Sequence, residues 1–281
     1  MQVVHLVAHA ALALRPLVDH AHAHWLWERL QKAFPATLAC VLMPDHVHLL
    51  AAVPSPKAAR TSFARIIAGL GRRCGQSWQP VPPAALVTDT AKTARVMRYV
   101  LLNPCREGIA CDPLAWRWST HRDVVGAAAP AWVTAESLAA VLGCRTRGFR
   151  EWVHRYVSSD PSVAVTGTPL PDRPRIDQPV VASLTRIQFA AAAATRAAPD
   201  ALTRRTPARH AFVLLARALG MRDTLPLARL CKITPRAIQK LAHKPAPHLT
   251  AAALLCLTDA RLLACTRSRG RSSPFANFRA G

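Results

Sequence analysis

Residues 43–50 read Met-Pro-Asp-His-Val-His-Leu-Leu. On a β-strand, residues i and i+2 project from the same face, so His46 and His48 would point together while Val47 packs behind them. Two imidazoles side by side on a rigid strand can bind one divalent cation. A bare His-x-His is common, and its plain reading is two histidines on a solvated face. The two tyrosines of the chain, Tyr99 and Tyr156, add context. Tyr99 precedes Asn103 by four residues in a helical pattern, which puts phenol and amide on one helix face. An amide oxygen is a hard ligand suited to Mg²⁺ or Mn²⁺. A helix laid across the sheet would therefore bring a nucleophile, Tyr99, and a third ligand, Asn103, to His46 and His48. The competing reading of Tyr99 is a core aromatic beside Met97, Val100 and Leu101. Tyr156, four residues after Trp152 on an amphipathic stretch, reads as packing. His20, His22 and His24 read as the polar start of a helix, and Trp78 reads as core by default.

The elements that must position these groups follow from periodicity. Gln2 to Leu14 reads as a first strand and Leu17 to Phe34 as a helix with Leu26, Leu30 and Phe34 in phase. Ala36 to Val53 is two apolar runs divided by Pro44-Asp45, a strand, a tight connection and a second strand. A basic amphipathic helix is predicted from Thr61 to Cys74, and another from Thr90 to Asn103, ending near Pro104 because proline disfavours a helical residue before it. Strand, helix, strand, strand, helix is the order of an α+β unit with an antiparallel sheet. Residues 127–160 read as a helical extension, 161–205 as a linker centred on the Pro/Asp/Arg-rich stretch to Val180, 206–265 as a second helical unit, and 266–281 as a basic disordered tail.

Charge points to a polyanionic partner. The chain has 281 residues and a formal net charge of +22, with 51% hydrophobic residues. Residues 206–281 carry 13 basic groups against 2 acidic ones, half of that excess. Such a concentration argues for a nucleic-acid contact there and excludes an acidic solvating protein. The scattered cysteines form no C-x-x-C and suit a reduced cytoplasmic chain better than a disulfide framework. No signal peptide or membrane span is read, since the apolar stretch from Leu249 to Leu263 contains Asp259 and Arg261.

Four ordered blocks resemble the HUH single-tyrosine transposases, a family that includes the REP-associated tyrosine transposases. These are Val41 to Leu50, Trp78-Gln79, Arg98-Tyr-Val-Leu-Leu-Asn-Pro-Cys-Arg-Glu-Gly108, and Trp116-Arg-Trp-Ser-Thr-His-Arg122 with Gly126. The resemblance covers residues 1–126 and departs from the family's frequent Asn at Asp45 and from its longer amino-terminal opening. It implies a ferredoxin-like fold and metal-dependent cleavage and rejoining of single-stranded, hairpin-containing DNA. His46, His48 and Asn103 would be ligands of Mg²⁺ or Mn²⁺, and Tyr99 the nucleophile that forms a 5′-phosphotyrosine. The arginines Arg65, Arg72, Arg73, Arg95 and Arg98 are candidates for phosphate contacts, the plain reading being a solvated helix face. The implied protein is cytoplasmic and nucleoid-associated, and a homodimer is left open.

The carboxy-terminal part contains a helix-turn-helix layout. Leu227 to Leu230 closes a short helix, Thr234 can cap the next, and Pro235 takes its first position. Ala237, Ile238 and Leu241 would face inward and Arg236, Gln239, Lys240 and Lys244 outward, as on a helix that enters a major groove. Two further readings compete with a strand transferase: a DNA-binding regulator that keeps the fold without cutting, and a relaxase or replication nickase using the same chemistry.

Overall fold

The computed structural model describes residues 1–11, 14–165, 169–170 and 182–264. The expected tail at 266–281 and most of the Pro-rich stretch before Val180 lie outside the described residues. The chain begins with β1 (Gln2–His9), a 3₁₀ turn at Pro16–Val18, α1 (His20–Ala33), β2 (Thr37–Leu42), β3 (His46–Val53), α2 (Pro56–Cys74), β4 (Ala85–Val87) and α3 (Thr90–Arg106). The four strands form one antiparallel sheet in the order β2-β3-β1-β4. This is an α+β architecture.

Local chemistry sets each boundary. Asp19 accepts from the amides of Ala21 and His22 and starts α1. Ser55 caps α2 with Pro56 in its first turn, and Gly75, at φ +63°, closes that helix in the left-handed conformation that glycine tolerates. In β1 the even positions Val4, Leu6 and Ala8 are buried and pack with α1 and α2, through Leu26, Leu30, Phe63, Ile67 and Leu70, in one core. The opposite face of the sheet carries His5, Val7 and His9, and α3 crosses it. The block from Trp116 to Thr120 seals the edge strand β2. The amide of Leu42 donates to the Trp118 carbonyl at 2.9 Å, Thr120 N to Cys40 O at 3.0 Å, and the Trp116 indole to Leu42 O at 2.9 Å.

Helix α3 does not stop at Asn103. It runs through Pro104 to Arg106, against the boundary predicted from the proline. Leu101, Leu102, Asn103, Pro104 and Cys105 are all buried, and their packing outweighs the one hydrogen bond that proline removes. The Pro104 carbonyl is used by Ile109 and Ala110 instead. Three further differences are local. β1 ends at His9 rather than Leu14, β4 was not read from the sequence, and the 127–160 extension is two helices, α5 (Ala135–Leu142) and α6 (Phe149–Ser158), preceded by the short α4 (His121–Val124).

The stretch 161–205, expected as a linker, contains a buried helix. This is α7 (Leu184–Ala194), in which Ile187 and Ala190 to Ala194 are buried. It joins α8 (Pro207–Ala218), α9 (Leu225–Cys231), α10 (Pro235–Ala242), α11 (Pro247–Thr258) and α12 (Ala260–Ala264) in a second core. That core is continuous with Leu114, Val125, Ala127 and Ala129 of the amino-terminal part.

The seam between the two parts is polar and largely buried. Arg122 is fully buried and donates to the carbonyls of Leu114 (2.7 Å), Leu262 (3.3 Å) and Ala193 (3.5 Å). Arg196 pairs with Asp123 at 2.6 Å, donates to Ser119 O at 2.9 Å, and lies 4.2 Å over the Trp27 ring. Arg261 pairs with Asp112 at 3.2 Å and with Asp259 at 2.6 Å. Desolvation by burial pushes the Asp123 carboxyl up, against the pull of Arg196.

Candidate active site between the sheet and the third helix

The strand-turn-strand around Pro44-Asp45 places both histidines as the alternation predicts. His46 and His48 project from β3 toward α3 and are buried, and Asn103 on α3 is 3% exposed. The Asn103 side chain lies between the two rings. Its Oδ1 is 3.3 Å from His46 Nε2 and its Nδ2 is 3.3 Å from His48 Nε2. The ring centroids of His46 and His48 are 5.0 Å apart. Tyr99, one helical turn before Asn103, is 41% exposed and stands edge-on to His48 at 5.5 Å. Four residues from two stretches more than 50 positions apart in the chain thus meet at one spot.

Two histidines that the motif reading left out complete the cluster. β1 pairs with β3 in a register that sets His9 opposite His46 and Val7 opposite His48. His9 stacks on His46 at 5.1 Å, and His5 stacks on His48 at 5.2 Å with its Nε2 3.1 Å from His48 Nδ1. His5 also meets the Tyr99 ring edge-on at 6.4 Å. The signal was present, since positions 5 and 9 share one face of a strand. What was missing locally was that β1 would lie beside β3.

Electrostatics keep His48 neutral. Burial, then the neighbouring rings of His5, His46 and His9, hold its pKa down to about 2. Burial likewise lowers His5, and burial together with His46 lowers His9, with Asp45 pulling the other way. Neutral imidazole is the ligating form. Asp45 Oδ1 is 2.8 Å from His46 Nδ1. When Nδ1–H donates to that carboxylate, the lone pair of Nε2 is aimed at Asn103, as in the carboxylate–histidine pairs that orient metal ligands.

Among the described residues no group of three His, Cys, Asp or Glu side chains is arranged to hold a metal ion. The third donor here is an amide. Two imidazole nitrogens and one amide oxygen, converging within hydrogen-bond reach beside an exposed phenol, fit a divalent cation that keeps open positions.

The predicted arginines divide by location. Arg98, next to Tyr99, lies 4.8 Å over the Tyr156 ring and 3.6 Å from Asp160. Arg106, which sequence reasoning missed, lies 5.4 Å over the Tyr99 ring and donates to Asp160 at 2.7 Å. Arg95 is exposed on α3. Arg65, Arg72 and Arg73 are exposed on α2, which packs behind the sheet, away from the histidines. Tyr156 is stacked on Trp152 at 5.2 Å, as packing. Trp78 is only partly buried, and its main chain bridges to Ala10.

In the carboxy-terminal part, Thr234 Oγ1 accepts from Ala237 N at 3.2 Å and Pro235 opens α10. Ile238 is buried, while Arg236, Gln239, Lys240 and Lys244 are exposed. No helix among the described residues is long and apolar enough to cross a membrane.

No family model matches the chain, and no curated protein matches it. Among solved structures it is similar to a REP-associated tyrosine transposase bound to a REP hairpin, at 19% identity and a TM-score of 0.37, over 44% of this chain and 79% of that one.

Proposed function

We propose that the protein is a DNA strand transferase that cuts and rejoins single-stranded DNA at Tyr99. The observation that carries this reading is the convergence of His46, His48 and Asn103 beside an exposed tyrosine, on the face of the sheet that α3 crosses. The β1-α1-β2-β3-α2-β4 connectivity, with β1 and β3 central, is read as ferredoxin-like. Residues 1–126 form the cutting unit in this reading, and α9–α10 within 206–265 a helix-turn-helix that holds duplex DNA.

His46, His48 and Asn103 would hold Mg²⁺ or Mn²⁺; when bound, the ion neutralises the non-bridging oxygens of the scissile phosphate and favours phenolate over phenol. Tyr99 attacks phosphorus in line. The bond from phosphorus to the 3′-oxygen breaks, the 3′-hydroxyl leaves, and the 5′-phosphate stays on the phenol. The phenolic proton passes to solvent, to which Tyr99 opens. The phosphotyrosine conserves the ester bond, so a 3′-hydroxyl of another strand can reverse the step without a nucleotide cofactor. Arg106 places one guanidinium over the Tyr99 ring, shared with Asp160, which also pairs with Arg98.

The test is incubation of the full chain with end-labelled single strands carrying a hairpin, in Mg²⁺ or Mn²⁺, followed by denaturing electrophoresis. The wild-type protein gives a protein-linked band and Tyr99→Phe gives none, while both bind the DNA. Binding without an adduct in the wild type would leave a non-cutting regulator. An adduct in the Phe variant would move the nucleophile to Tyr156.

A further inference from the structure

The two histidines that face Asn103 are each held from behind at Nδ1, but by different groups. His46 has the carboxylate of its chain neighbour, with Asp45 Oδ1 at 2.8 Å. At His48 the partner is an imidazole. Its Nδ1 lies 3.1 Å from Nε2 of His5, 43 positions earlier in the chain. The two rings are stacked, with centroids 5.2 Å apart and planes 22° apart. Strand pairing makes this contact. β1 and β3 run antiparallel with Val7 opposite His48, and His5 lies two residues along from Val7 on the same face.

A neutral imidazole has one N–H and one lone pair, and its neighbours decide which nitrogen takes which. Asn103 Nδ2 is 3.3 Å from His48 Nε2, and an amide N–H only donates. Nε2 is therefore the accepting nitrogen, and the proton of His48 sits on Nδ1. His48 is 5% exposed, so an N–H there without an acceptor would be costly. His5 Nε2 is the acceptor within reach, and the proton of His5 then resides on its own Nδ1.

We infer that His5 is the positioning residue of the second histidine: its Nε2 accepts the Nδ1 proton of His48 and keeps the Nε2 lone pair of His48 free toward Asn103. The inference rests on the proposed reading for the divalent ion that this lone pair would meet. Without an acceptor at position 5, the less costly arrangement moves the proton of His48 to Nε2 and turns the Asn103 amide so that Oδ1 accepts it. Proton and ion would then compete for one lone pair. An outer hydrogen bond of this kind is worth about ten- to a hundredfold in metal affinity.

Two substitutions separate the acceptor from the ring. His5→Phe keeps a flat ring against His48 and against Tyr99, which meets His5 edge-on at 6.4 Å, and removes the acceptor. His5→Gln gives up the ring and offers an amide oxygen in its place. Mn²⁺ is titrated into the DNA-free full chain, and the free ion is read from its electron paramagnetic resonance signal. His5→Phe is expected to weaken Mn²⁺ binding about tenfold or more, and His5→Gln to recover most of that loss. Equal affinity in the wild type and His5→Phe overturns the inference, as does a loss as large in His5→Gln as in His5→Phe. Nitrogen-15 spectra of the imidazole rings in the metal-free chain give a second readout. They should show His48 protonated at Nδ1 in the wild type and at Nε2 in His5→Phe. A wild-type His48 protonated at Nε2 overturns the inference. If the wild type binds no Mn²⁺, the metal reading falls and the ring spectra still decide the role of His5. Mn²⁺ binding without a DNA adduct overturns the cutting reading alone.

Discussion

On the α3 face of the sheet, His46, His48 and Asn103 are buried beside one another, and the carboxylate of Asp45, half exposed, meets His46 at their rim. At the seam, Arg122 and Arg196 are also buried and Arg261 is half-buried, and each reaches across to a carbonyl or carboxylate of the other part. Both regions hold polar groups away from water. One gathers two imidazoles and an amide beside an exposed phenol; the other ties Arg196 and Arg261 to carboxylates and Arg122 to carbonyls. In the proposed reading the first region serves a ligand and the second holds the fold together.

The sharpest way to break that comparison is to mutate one group on each side. His48→Gln should lower adduct formation by about a hundredfold or more, with little change in Tm, because the amide keeps much of the volume of the buried ring. A Tm collapse in this variant would make His48 a structural residue. Arg196→Met should do the reverse at the seam. It strands Asp123 in the core, which typically costs about 3–5 kcal/mol, and adding Asp123→Asn should return part of that loss. Urea unfolding of the single and double variants reads both, and additive losses would mean that the pair is not coupled.

The sequence made the site legible where local rules suffice. Alternation on a strand put His46 and His48 together, and the four-residue helical step put Tyr99 with Asn103. It did not reveal His5 and His9, because their role depends on β1 inserting between β3 and β4, a long-range pairing with no local signature. Nor did it reveal α7. The run of alanines around Ala190 to Ala194 lacks the large apolar residues that mark a buried face, and the adjacent Pro-rich stretch drew the boundary too far. Small residues there are what allow α8 and α11 to pack closely. Pro104 misled in the opposite sense, since a local penalty was taken as a stop and tertiary packing outweighed it.

A pH titration sharpens the same contrast. His121 is fully buried beside the His154 ring, with Arg122 and Arg261 near, and burial holds its pKa well below 6.5. His20 packs on Trp118 and its pKa is lowered to about 4, chiefly by burial and then by Arg117. In both cases the folded-state value lies under the unfolded one. Their contribution is therefore complete above about pH 6.5 and is lost as the pH falls toward 4. Urea midpoints should decline across that window, before the carboxylates of Asp160 and Asp259 titrate, since those are held low in the folded state. His121→Gln should flatten the decline. An unchanged slope in that variant would place the acid sensitivity elsewhere.

The smallest effect tests the exposed side of the second region. Lys240 projects from α10 into solvent, and nothing in the fold depends on its ammonium. If it meets a phosphate, Lys240→Ala should weaken duplex binding to a similar degree on any sequence. It should also reduce the slope of log K against log salt concentration by about one. Thr234→Ala makes the complementary measurement. It removes the cap of α10 and should cost about 1 kcal/mol of stability without changing the salt slope. Equal slopes for Lys240→Ala and the wild type would show that this lysine faces water rather than DNA. The basic charge of residues 206–281 would then act through other side chains, leaving the seam as the property that separates this region from the sheet.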